Sequence, residues 1–310
     1  MNAATFEIAL LQKFGGEPLT KRISLGPDGS VISDGGACIM SRGTATRFQY
    51  YDVQKLGEII DQFGPDQAIT LGTLRPDLPD TVEITTKRKL NGSGSNRLIA
   101  RTKEYFQYRQ REPALTLLDY DRKGMPGAVA ERIKRLGGLE AALASIVPDI
   151  TRTERLVRAS TSAGLYREDT GDALPSSGGQ HIFLKIRDGE DSERFLKVLH
   201  ERCWLAGLGW KMVGAGGQLL DRSIVDRVVG TPERLVFEGP PVLVKPIAQD
   251  LRQRRPLAIA GGVLDSRTAC PPSRCPNKRD CDNCVRRKTS GSIATPRRRA
   301  SSSSPRKLKS

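Results

Sequence analysis

Short apolar runs alternate with polar punctuation through residues 1–265, and two periods recur in them. Apolar positions three and four apart in VQKLGEIIDQF (53–63) predict a helix stopped by Gly64-Pro65. SERFLKVLHERCWLAGLG (192–209) predicts a second amphipathic helix, with Ser192 as its N-cap. Residues 127–145 predict helix broken by the pair Gly137-Gly138. QAITLGTL (67–74), ALTLLDY (114–120) and QHIFLKIRD (180–188) read as strands, as do the runs in LLDRSIVDRVVG and RLVFEGPPVLV. In 180–188, His181, Phe183 and Lys185 share one face and Ile182, Leu184 and Ile186 the other, which predicts a half-buried strand. Strands alternating with helices predict an α/β fold.

The pattern fades near Ser266. Beyond it the chain is rich in Arg, Ser, Pro and Cys with few apolar residues, and a disordered tail (266–310) is expected. The net charge of +15 is uneven. Residues 267–310 carry 13 Lys and Arg against 2 acids, so the body is only mildly basic. There is no apolar run near 18 residues and no basic, secretory-type leader, so no membrane span and a cytoplasmic location are expected.

Candidate chemistry begins where the strand 114–120 ends. Asp119 and Asp121 are two residues apart and project to one side. Two carboxylates this close repel unless a cation such as Mg²⁺ or Mn²⁺ neutralises them. A lone D-x-D is more often a strand end facing water. A second feature is LPSSGGQH, a Ser-Gly turn delivering His181 to a strand, where backbone N–H groups can approach a phosphate. A plain hairpin turn with an incidental histidine competes with that reading. His200, the other histidine, reads as structural or exposed. A third feature is the pair Asp221 and Asp226, each after two apolar residues and before an arginine. Either could complete a three-carboxylate set, or both could be salt-bridged surface acids. KEYFQYRQR (103–111) mixes aromatics with bases as single-strand-binding surfaces do, but a core-facing side of an ordinary helix is the preferred reading.

Leu118-Asp119-Tyr120-Asp121, then Gly179-Gln180-His181, then Val225-Asp226, in this order, resemble the three motifs of the archaeo-eukaryotic primase superfamily. The stretch 112–242 is similar to primase-polymerases of bacterial plasmids and integrated elements. The resemblance implies an α/β (α+β) fold: an RRM-like catalytic palm (111–265) packed on an N-terminal α/β part (1–110). It implies template-directed nucleotidyl transfer on single-stranded DNA with nucleoside triphosphates. Asp119, Asp121 and Asp226 would hold two Mg²⁺ or Mn²⁺ ions, with Asp221 as the alternative third ligand. His181 would contact the triphosphate, with Ser177, Lys185 and Arg234 as further candidates. The family often has serine where Gly179 stands. No G-x-x-x-x-G-K-[ST] is present, so a helicase partner is expected to be separately encoded, or the chain is a shortened version of a longer one.

Cys270, Cys275, Cys281 and Cys284 supply the thiol count of a zinc site. A drifted, frameshifted end ranks above zinc on composition, and a basic arm adding salt-dependent DNA affinity is compatible with either. Two other functions compete with the primase reading: a D-x-D sugar-nucleotide transferase using Mn²⁺, and a non-catalytic nucleic-acid-binding remnant.

Overall fold

The strand Phe6–Lys13 lies between two apolar clusters: Phe6 and Ile8 point into one, Ala9 and Leu11 into the other. Both faces are therefore covered, and the strand is central rather than an edge. The computed structural model describes residues 6–36, 38–90, 95–214 and 216–272. It is a mixed α/β structure in which strands outnumber helices.

Two sheets matter for the site. The first has six strands, ordered Leu235–Val236, Gln67–Thr70, Phe6–Lys13, Arg42–Tyr50, Thr81–Thr85 and Leu98–Ala100. The second has four antiparallel strands, ordered Ala114–Tyr120, Gln180–Ile186, Arg155–Ala159 and Leu257–Ile259. The aspartate strand (Ala114–Tyr120) and the histidine strand (Gln180–Ile186) are neighbours, and Asp119 is paired opposite His181. The first sheet takes its edge strand Leu235–Val236 from far along the chain, so the 1–110 and 111–265 parts interleave through residues 235–243.

The helix Val53–Ile60 starts at Asp52, whose carboxylate accepts from the Lys55 N–H at 2.8 Å, a cap of about 1 kcal/mol. Residues 127–145 form two helices, Gly127–Arg135 and Leu139–Ala144. Gly137 (φ 95°) and Gly138 (φ 103°) join them in the left-handed region, which β-carbon-bearing residues avoid. The helix Ser192–Leu205 buries Phe195, Leu196, Leu199, His200 and Cys203. Its cap position is Asp191, not Ser192: the Ser192 hydroxyl is drawn inward to Thr116 Oγ1 at 2.6 Å on the aspartate strand.

Three local expectations change. Residues 103–111 form a turn and the short strand Phe106–Gln107 rather than a helix, because Phe106 fills the second apolar cluster and Arg109 pairs with Glu7. The histidine strand is covered on both faces: Phe183, on the side assigned to solvent, is fully buried. Residues 67–74 split into Gln67–Thr70 and Thr73–Leu74, with Gly72 packed against Pro232 between them.

The described fold also continues past Ser266. Ser266–Ala269 form a short helix, and Cys270 is buried in the main core near Cys203. The remainder of the expected disordered tail, with Cys275, Cys281 and Cys284, lies outside the described residues, and so does any zinc site built on them. Among the described residues no helix is long and apolar enough to cross a membrane.

Candidate functional site

The aspartate strand is buried from Ala114 to Leu118, all apolar but Thr116, so its polar end emerges where the sheet ends. Asp119 and Asp121 are half-buried there. The Asp121 carboxylate accepts from the Lys123 N–H at 2.9 Å, which turns the chain away from the strand. Asp226 arrives from a distant segment, and its N–H donates to the Asp119 carbonyl at 3.2 Å. Three carboxylates are thus collected at one strand end.

Their electrostatics are strained. Burial first, then the charges of Asp226 and Asp121, hold the Asp119 carboxyl above the usual carboxylate range. The nearby cation is Arg222, whose Nη2 lies 2.9 Å from Asp121 and whose Nη1 lies 3.7 Å from Asp226. Asp221 lines the same pocket but pairs with Lys211 across the hairpin Gly209–Val213 and Leu219–Ser223. Of the two candidates for the third acid, Asp226 is therefore the one joined to Asp119.

His181 stands on the adjacent strand with Nε2 3.6 Å from Asp119 Oδ1. Its Nδ1 is 2.5 Å from Glu238 Oε1. Burial alone would lower the imidazole pKa, but Glu238 and then Asp119 outweigh it, and the net direction is upward. Burial likewise pushes Glu238 up, but His181, Arg158 and Arg254 overcome it and hold that carboxyl below its ordinary value. The edge of the Phe183 ring system meets the imidazole at 89°.

Beside His181, two loops bring hydroxyls together. Ser177 Oγ lies 2.8 Å from Ser160 Oγ and 3.0 Å from Ser162 Oγ. Gly178 has φ 65°, and a β-carbon there would fall 2.4 Å from the Arg122 guanidinium. Ser177 and Arg122 are both exposed.

The remaining candidates lie elsewhere. Lys185 is engaged by Glu154 at 2.5 Å and sits 4.2 Å from the centre of the Phe6 ring, between the two sheets. Arg234 is exposed just before the edge strand Leu235–Val236 of the six-stranded sheet. The structure thus gathers Asp119, Asp121, Asp226 and His181, with Ser177 close by in the chain, and leaves Lys185 and Arg234 out of that group.

Three residues at the site had no role in the sequence reading. Glu238 follows a two-residue strand and carries no local signal. Arg222 was legible only as the residue after Asp221. His200 is buried, with Nδ1 3.0 Å from Ser223 Oγ and 3.3 Å from the Val225 carbonyl, and burial lowers its pKa. It supports the segment that delivers Asp226.

The donor set suits a hard divalent cation: oxygen ligands of which one, Asp119, has its pKa raised by burial and then by its acidic neighbours. Among the described residues, no three acidic, histidine or cysteine side chains close on a common point as they stand. Asp121 and Asp226 turn instead to Arg222. Comparison with protein-family models, with curated proteins and with solved structures found no match to this chain.

Proposed function

We propose that the chain is a template-directed nucleotidyltransferase of primase-polymerase type, working at Asp119, Asp121, Asp226 and His181. The observation that carries this reading is the convergence of four residues from three segments. Asp119 and His181 are paired across neighbouring strands, and Asp226 is hydrogen-bonded to the backbone of Asp119. The four-stranded antiparallel sheet beneath them, covered by the helix Ser192–Leu205, is compatible with an RRM-like palm.

In this reading Asp119, Asp121 and Asp226 hold divalent cations, and Arg222 gives up its contacts with the Asp121 and Asp226 oxygens to them. When bound, two Mg²⁺ or Mn²⁺ ions would supply activation of a primer 3′-hydroxyl and neutralisation of the triphosphate. His181 donates its Nε2–H to a phosphate oxygen while its Nδ1–H stays on Glu238. The Ser160, Ser162 and Ser177 hydroxyls, with Arg122 beside them, suit the outer phosphates. Single-stranded DNA is the proposed template and nucleoside triphosphates the proposed substrates.

The test is nucleotide incorporation by the purified chain on single-stranded DNA, with and without primer, in Mn²⁺ and in Mg²⁺. Template-dependent incorporation that disappears in the Asp119→Ala/Asp121→Ala variant supports the reading. A folded protein with no incorporation under any of these conditions sinks it.

A further inference from the structure

We infer that Glu238 is the positioning residue of this site: it fixes the orientation of the His181 ring, with Nδ1 turned to Glu238 and Nε2 to Asp119. The inference rests on the reading of His181 as the phosphate contact. Glu238 is 1% exposed, and its Oε1 has the His181 Nδ1 as its partner at 2.5 Å. Its other oxygen, Oε2, lies 3.3 Å from Arg158 Nη1 and 3.7 Å from Arg254 Nη2. The Glu238 carbonyl accepts from the same two guanidinium groups, at 3.1 Å each.

Arg158 and Arg254 are themselves fastened. Arg158 donates to the Ile60 carbonyl at 2.9 Å, to the Arg254 carbonyl at 3.2 Å and to Asp61 at 3.3 Å. Arg254 donates to the Gly239 carbonyl at 3.2 Å. Glu238 is thus clamped by the end of the helix Val53–Ile60, by the strand Arg155–Ala159 and by residues 239 and 254. A staple joining these segments would need only the two arginines with Oε2 and the carbonyl. Oε1 is left over, and it is spent on the imidazole.

The consequence is directional. A carboxylate fixed on Nδ1 makes that nitrogen a donor and leaves Nε2 facing Asp119 and the space above the strand ends. Around metal-ligating histidines, carboxylate partners on the far nitrogen set ring orientation in this way, and losing one costs about 10- to 100-fold.

The chain has two histidines, so ¹⁵N-edited NMR of the full chain reads them separately, with His181→Gln supplying the assignment. The expected wild-type spectrum places a protected, downfield proton on His181 Nδ1. In Glu238→Gln that proton shifts and loses protection while the His200 signals stay in place. The same variant raises the nucleotide KM by about tenfold and changes kcat less. Protonation of His181 on Nε2 alone in the wild type overturns the inference. So does a His181 signal identical in Glu238→Gln, or an unchanged KM in Glu238→Gln where His181→Gln raises it. If the wild type incorporates no nucleotide, the proposed function falls, and the wild-type spectrum alone decides whether Glu238 fixes His181. That spectrum needs no variant to fold.

Discussion

Asp119 and His181 are opposite partners in one pair of strands, yet they are held in contrasting ways. On the aspartate side the counter-charge is borrowed. Arg222 reaches two carboxylates from a hairpin, and the Asp121 side chain is 41% exposed. On the histidine side the Glu238 carboxylate and the two arginines that hold it are interior. Glu238 is 1% exposed, and the Arg158 and Arg254 side chains 5% and 3%. Exposed ion pairs cost little to exchange, whereas a buried charge cannot lose its partner cheaply. The aspartate side can therefore change its cation, and the histidine side is built to keep one geometry.

The sharpest way to break this comparison is through activity. Asp119→Ala/Asp121→Ala is expected to lower nucleotide incorporation by about a thousandfold or more, since the cations proposed for these residues would be worth several kcal/mol in the transition state. A loss below tenfold in incorporation kinetics would mean that the carboxylates are not the centre.

Stability comes next. Glu238→Ala leaves two guanidinium groups facing each other in the interior and is expected to cost about 3–5 kcal/mol. Asp121→Ala removes a partly exposed pair and is expected to stay within about 1 kcal/mol of wild type. Urea unfolding of both variants measures the contrast directly, and equal costs would erase it.

The pH dependence follows from the two histidines. The His181 pKa is raised on folding, so its contribution is complete below 6.5 and is lost as pH rises through the folded value. The His200 pKa is lowered, so protonation destabilises the fold as pH falls below 6.5. Their combined contribution is greatest between the two folded values. In metal-free buffer, His181→Gln should flatten the alkaline limb of stability against pH, while the part of the acid limb due to His200 remains.

The smallest effect is expected at Arg222. Arg222→Met frees Asp121 and Asp226 and should lower the Mn²⁺ concentration giving half-maximal incorporation by about two- to fivefold. An increase would mean that the arginine supports the site rather than competing for it.

How much of this was legible depended on how local each signal was. The aspartate strand announces itself because four of the five residues before Asp119 are apolar, and the helix Val53–Ile60 because its spacing and its Asp52 cap lie within one short window. The break at Gly137-Gly138 is equally local. Glu238 was invisible because its partner is 57 residues away, and its burial depends on residues 235–239 returning to a sheet built mainly from the first hundred residues. His200 was read as structural or exposed because helical periodicity does not reveal that Ser223 and Val225 close over it. Lys185 shares a strand face with His181, but the strand Phe6–Lys13 and Glu154 cover that end of the face. Periodicity identifies a face; only tertiary packing decides which part of it stays open.

The most direct test of the contrast is Mn²⁺ binding to the full chain without nucleotide, followed by calorimetry for wild type, Asp119→Ala/Asp121→Ala and Glu238→Gln. Saturable uptake is expected in wild type and in Glu238→Gln, and its loss in the double aspartate variant. Equal uptake by wild type and the double variant would contradict the claim that these carboxylates exchange Arg222 for a divalent cation.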